Sequence, residues 1–231
     1  EDPWPGDAEV ANQLFRGRYR FAGEEVTAPN QAPWHAQNAS AVWLTELHGF
    51  AWLRHFAAAG GDTARRHARA LVGSWLSQHG RWEPLVWAPE VLGRRLVSWF
   101  SQAPLLLDGA DPPFHAACLD GLARQSRHLG RSIGHAAPGP GRITAAGGLI
   151  LSGLCLADGK RRLERGVKLL QAELAAQVLP DGGHVGRNPS QHLAVLRDLV
   201  ALRDAMVLAQ YLVPEALINA IDRMAPLLRL Y

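Results

Sequence analysis

The sequence is nearly without lysine. Only Lys160 and Lys168 occur, so arginine supplies the rest of the 24 basic residues. A planar guanidinium grips carboxylates and phosphates at two points, which an ammonium does not; a GC-rich coding bias toward Arg and Ala produces the same excess. Against 21 acidic residues the formal net charge is +3, mildly basic and too small for a nucleic-acid coat, so no nucleic-acid partner is expected. Cysteine is scarce as well. Cys118 and Cys155 make no disulfide framework in 231 residues, and their apolar helical settings predict buried free thiols. His115 and Cys118 are spaced i,i+3, but no second Cys/His pair accompanies them, so no metal is expected. No run of about 18 apolar residues exists to span a membrane. Glu1 opens the chain without a basic stretch leading into an apolar one, so any signal peptide is expected to have been removed already. Tryptophan is missing from the second half: all eight lie between Trp4 and Trp99. With 48% hydrophobic and 19% charged residues, the chain is too apolar for disorder and long enough for one sizeable core or two smaller ones.

What is present is mostly helix. Residues 1–39 are the exception, rich in Pro, Gly and polar residues, and are expected to be an extended N-terminal segment. Within it Phe15 to Phe21 alternates aromatic with basic before Ala22-Gly23, which predicts a short strand and turn. Ser40 caps a predicted helix to about Ala59, stopped by Gly60-Gly61. Asp62 caps a second to about Gln78. Pro89 opens a third to about Gln102, and Asp111-Pro112 a fourth to about Ile133. The stretch Ala137-Pro138-Gly139-Pro140-Gly141 separates the halves. A fifth helix, Ile143 to Ala157, is apolar all round and therefore central, and Gly147, Gly148 and Gly153 permit close packing on it. Lys160–Val178 is amphipathic, Ser190–Gln210 forms a seventh helix, and an eighth starts at Pro214 and kinks or ends at Pro226. No fixed-period repeat is visible, which excludes a consensus solenoid. The expectation is an all-α fold, an incomplete α/α toroid of antiparallel hairpins over residues 40–231 with a short extended β segment before it.

The loop 180–192 concentrates chemistry. Asp181, Gly182, Gly183, His184, Arg187, Asn188 and His192 fall within thirteen residues between two helices, where sites normally lie. His184 is expected to take a proton near neutral pH. Arg187 and Asn188 bind a carboxylate, or Asn188 simply caps the following helix. His192 belongs to the site or is a satisfied core histidine. Among the aromatics, Trp34, Trp82 and Trp87 sit in or beside loops, where flat rings stack on sugars. Trp43, Trp52, Trp75 and Trp99 have core spacing. His48 lines the same groove or satisfies a core hydrogen bond.

Asp181-Gly182, Pro189 and His192 resemble the Asp-Gly…Ser-Pro-x-Tyr-His signature of the heparinase II/III-like polysaccharide lyases. Leu47-His48-Gly49-Phe50-Ala51-Trp52-Leu53-Arg54, Arg94-Arg95-Leu96-Val97-Ser98-Trp99 and Asn219-Ala220-Ile221-Asp222-Arg223-Met224 resemble the same family, so the likeness covers most of residues 12–231. It implies a helical toroid followed by a β-sandwich that this chain stops short of. It further implies a periplasmic enzyme that cleaves an acidic polysaccharide by β-elimination, a reaction that needs no cofactor. Asn, His or Arg would neutralise the uronate carboxylate, a Tyr or His would remove the proton at C5, and a Tyr would protonate the leaving oxygen. Carried onto this chain, the resemblance gives His184, His192 and Asn188 as catalytic, and Arg142, Arg187, Gln191, His135, His48, Trp34 and Trp82 as substrate-binding. Two signature positions differ. Gln191 stands where the family has Tyr, and Asn188 where it has Ser. Gln is neither an acid nor a base, and the remaining tyrosines, Tyr19, Tyr211 and Tyr231, lie outside the motif.

Three functions follow from these residues. One is a lyase acting on a uronate-containing glycan. Another is a toroid that binds such a glycan without cleaving it. The last is a helical interaction scaffold. The separating criterion is geometric: a histidine or tyrosine and an arginine must reach one point in a cleft.

Overall fold

The computed structural model describes residues 2–29, 31–36 and 38–229. The chain divides into two compact units, residues 1–125 and 126–231.

The first unit begins with a helix inside the segment expected to be extended. Asp7 accepts a hydrogen bond from the Glu9 amide and caps α1 (Ala8–Phe15), which buries Ala11 and Leu14. The predicted strand follows as β1 (Arg18–Phe21), paired antiparallel with β2 (Glu24–Thr27), Tyr19 opposite Val26. A 3-10 turn, Pro33–His35, leads to Ser40, whose hydroxyl accepts from the Trp43 amide.

The helix expected from Ser40 to Ala59 is broken into α2 (Ala41–Gly49) and α3 (Leu53–Ala59). Phe50 adopts φ 58° between them, a conformation that non-glycine residues rarely take. Tertiary contacts hold it there. Ser98 donates to the Phe50 carbonyl at 2.5 Å, and the Trp52 indole donates to the Leu47 carbonyl at 2.9 Å. The Phe50 ring meets Trp52, Trp75 and Trp99 at centroid distances of 4.9, 5.7 and 5.4 Å. Aromatic packing outweighs one helical turn.

α4 (Gly61–His79) starts after Gly60 rather than at an Asp62 cap; Asp62 instead pairs with Arg66 one turn on. α5 (Pro89–Ser101) and α6 (Ala103–Leu107) follow, and the division between the units falls within α7 (Pro112–Ser132). In this unit α5 packs on α2, and α3 on α1 and α4. Trp43, Trp75, Trp99, Phe50 and Phe56 are fully buried. Arg95 is buried among them with its guanidinium 4.3 Å from the centre of the Trp75 ring, donating to the carbonyls of His48 and Val86 and to Gln125.

After the end of α7 the second unit holds two helical hairpins: α8 (Pro140–Cys155) with α9 (Lys160–Gln177), and α10 (Pro189–Leu208) with α11 (Glu215–Leu227). α8 is buried from Ile143 to Ser152, as its apolar composition predicts, and both α9 and α10 pack on it. Close approach is built into the sequence. A Cβ on Gly166 of α9 would stand 2.8 Å from Ile150, and one on Gly153 would stand 2.6 Å from the Leu163 nitrogen. Pro226 lies in the last turn of α11, one residue before its end.

The cysteine expectation needs correction. Cys118 is buried, and burial pushes its thiol up to about 12, but Cys155 is exposed at the last residue of α8. Among the described residues no helix is long and apolar enough to cross a membrane, and no three His, Cys, Asp or Glu side chains gather as a metal site would need.

Candidate functional site

In the second unit the loop between α9 and α10 is a tight, ordered turn. Leu179 N donates to Gly183 O, Val185 N to Gln177 O, and Val178 bridges His184. Gly182 sits at φ +85°, and a Cβ there would stand 2.1 Å from the Arg223 carbonyl oxygen, so only glycine fits. Asp181 accepts from the Gly183 amide at 2.9 Å and from Arg187 Nη1 at 2.7 Å. The Arg187 hydrogen bond is the main reason its carboxyl lies below the usual carboxylate range. Asn188 accepts from the Gln191 amide at 3.1 Å and is the N-cap of α10. Gln191 Oε1 fills the space above Gly186.

Behind this turn runs a continuous polar chain. Arg142 on α8 pairs with Glu173 on α9 at 3.1 Å. Gln177, one turn further along α9, donates to Glu173 at 2.8 Å and to the Gly139 carbonyl at 2.9 Å. The Gln177 oxygen faces His184 Nε2 at 3.1 Å, and His184 Nδ1 faces the Gly186 amide at 3.1 Å. An amide oxygen only accepts and a backbone N–H only donates, so His184 carries its proton on Nε2. The same logic applies to His192. The His184 amide points at its Nδ1, 3.4 Å away, and its Nε2 lies 3.0 Å from the Met224 carbonyl. Both imidazoles are therefore neutral, with each ring nitrogen engaged by the chain itself, and both rings are buried. Burial, then the neighbouring His192, keeps His184 below the ordinary histidine range.

The structure thus brings Arg142, His184, Arg187, Asn188, Gln191 and His192 together. It gives the side chains of Arg142, His184, Arg187, Asn188 and His192 partners within the chain, and Gln191 packs over Gly186. Asn188 has the capping role that the sequence left open, and His192 the satisfied core role. His135 is exposed at the end of a 3-10 turn, Ile133–His135, whose Ile133 is buried. Glu173 and Gln177, the centre of the polar chain, were not anticipated. Their signal was legible: both are polar residues at i,i+4 on the face of α9 that buries Leu170 and Leu174.

The other candidates lie in the first unit. His48 accepts from the Trp75 indole at 3.1 Å and stacks near Trp34, and burial, then Arg95, then His79 lower it to about 3. It is a neutral core acceptor. Trp34, in the Pro33–His35 turn, and Trp87, in the turn before α5, lie outside the α-helices as predicted, but both are buried. Their indoles donate to Ser74 and to the His79 carbonyl. The reason is that these segments fold over the aromatic cluster instead of away from it. Trp82 is different, with 62% of its surface exposed. Tyr19 is buried and raised to about 12 by that burial, and Tyr211 is half-buried. Tyr231 lies outside the described residues.

No family pattern matches the chain. Over its whole length the chain is 33% identical to "FtsZ-localized protein C" of Caulobacter vibrioides, and it spans 40% of that protein. Among solved structures it is similar to the heparan sulfate lyase HepC of Pedobacter heparinus (TM-score 0.73, 18% identity, 99% of this chain and 39% of that one). A crystal structure of heparinase III is similar as well (TM-score 0.68, 15% identity, 90% and 33%). The chain spans well under half the length of each of these proteins. At 18% and 15% identity the likeness to the two solved structures concerns fold alone. The all-α fold of helical hairpins with a short β segment, expected from sequence, is that of the helical toroid domains of heparan sulfate lyases.

Proposed function

We propose that this chain is a non-catalytic interaction domain built on the lyase fold, working where FtsZ assembles. One observation carries the reading: both candidate bases, His184 and His192, are buried, neutral and saturated by hydrogen bonds from their own chain. A general base needs a lone pair within reach of substrate. Here the His184 Nδ1 lone pair faces the Gly186 amide, and Gln191 occupies the position of the signature tyrosine. The two arginines are also engaged, by Glu173 and Asp181. The likeness to a protein named for its localisation with FtsZ supplies the partner.

The test is co-sedimentation of the purified chain with FtsZ polymers, beside an ultraviolet assay for unsaturated uronate on a panel of acidic polysaccharides. Sedimentation with polymers and no unsaturated product is the expected pair. Unsaturated product would overturn the reading, and so would failure to sediment.

A second reading, elimination on a uronate glycan, is favoured by one observation. The chain shares its fold with HepC over 99% of its length. In that reading Trp82, exposed on the first unit, stacks on sugar. The β-sandwich that the resemblance pairs with this fold belongs to the same proposal, as do the periplasmic setting and the acidic glycan partner.

A further inference from the structure

The first unit holds a carboxylate in a built cleft, and the carboxylate is its own. Residues 2–6 run as a strap beside α3 and the α5–α6 junction. Asp2 Oδ2 lies 3.2 Å from Arg54 Nη2 on α3 and 3.2 Å from Gln102 Nε2 at the start of α6. Its other oxygen accepts from the Trp4 amide at 3.0 Å. Gln102 is 95% buried, at 5% exposure, so its amide is aimed into the cleft and not at bulk water. Gly6 seats the strap: a Cβ there would stand 2.1 Å from the Arg54 carbonyl oxygen. Asp7 N then donates to His55 Nδ1 at 3.0 Å, where the strap joins α1. Beside the strap the cleft continues as a space of about 350 Å³, walled by Ala58 and Leu105 among others.

We propose that Arg54 and Gln102 form a recognition site for a carboxylate on an acidic peptide segment, and that Asp2 occupies it as an internal stand-in. A guanidinium and a buried amide converge here on one carboxylate oxygen, a charge-assisted pair of donors that a carboxylate satisfies. The apolar wall next to it suits an aliphatic or aromatic neighbour of the acidic residue, and Trp4 of the strap lines the same space. A peptide fits better than a sugar because, Ser101 apart, the wall around Gln102 is Ala57, Ala58, Pro104 and Leu105, which leaves most hydroxyl groups of a sugar without partners. The strap competes with any incoming peptide, so its release sets the apparent affinity.

This site gives the interaction reading a partner chemistry and rests on that reading. Its test contains no FtsZ, so the two can fail separately. A fluorescein-labelled peptide copying residues 2–6 is titrated by anisotropy with the 231-residue chain and with its Asp2→Asn variant. The variant is expected to bind about tenfold more tightly than the parent, because the internal competitor is weakened. Adding Arg54→Met, or separately Gln102→Leu, to that variant is expected to abolish the gain, with melting curves confirming that each protein is folded. A peptide carrying Asn in place of its Asp should bind no better than background. Equal binding by parent and Asp2→Asn chains overturns the proposal, as does binding indifferent to both Arg54 and Gln102. Displacement of the peptide by an oligouronate at lower concentration than by unlabelled peptide overturns the assignment to a peptide.

Discussion

Gln177 receives the Nε2 proton of His184 on its oxygen at 3.1 Å and spends its two amide protons on Glu173 and on the Gly139 carbonyl. One side chain thereby fixes a histidine tautomer, a carboxylate and the approach to α8. Gln177→Leu leaves all three groups without that partner in a buried setting. Each unsatisfied buried group costs about 1–3 kcal/mol, so a loss of about 3 kcal/mol in urea denaturation is expected. The same substitution should move His184 toward exchange with solvent, read in its imidazole NMR signals.

Stability should fall in mild acid. His48 titrates at about 3 in the folded chain against 6.5 ordinarily, and His184 is lowered too. A histidine with a lowered folded pKa binds fewer protons folded than unfolded. Its contribution is intact above about 6.5 and is lost as pH falls from there toward the folded value. The slope for one such histidine is about 1.4 kcal/mol per pH unit. His48→Gln keeps an acceptor for the Trp75 indole and removes the titration. Urea midpoints between about pH 6 and pH 4 should therefore decline less steeply in that variant.

Gly182→Ala should be disproportionately costly. The position combines φ +85° with a 2.1 Å approach to the Arg223 carbonyl oxygen. Left-handed strain and the forced shift of a neighbouring backbone together are expected to cost about 3 kcal/mol. A midpoint unchanged within error would show that the turn opens freely.

The tryptophans should separate by burial. Trp75 is fully buried against Phe50, Trp99 and the Arg95 guanidinium, so Trp75→Ala should cost about 3–5 kcal/mol. Trp82→Ala should fall within about 0.5 kcal/mol of the parent. Acrylamide should quench the Trp82 contribution to fluorescence and leave the Trp75 contribution largely protected. If Trp82→Ala instead weakens binding of an acidic glycan while stability holds, the glycan reading gains its ring.

The predicted helices were legible because their signals are local. Pro89 and Asn188 mark helix starts by their own backbone and side-chain chemistry. The all-apolar character of α8 already implied a central place, and its glycine at 153 implied the close crossing found with α9. Loop 180–192 was also legible as a concentration of polar groups. What those groups do was not, because it depends on which atoms face them. Phe50 breaks a helix that its neighbours would continue, since Ser98, Trp75 and Trp99, far away in sequence, reward the break. His184 looks like a base in the sequence and becomes a saturated core residue because Gln177 and the Gly186 amide close on its two nitrogens. Sequence alone determined the helical fold class and where the polar residues gather. Tertiary structure decided whether they face solvent or one another, since period and capping are set within a few residues and the satisfaction of a buried hydrogen bond is not.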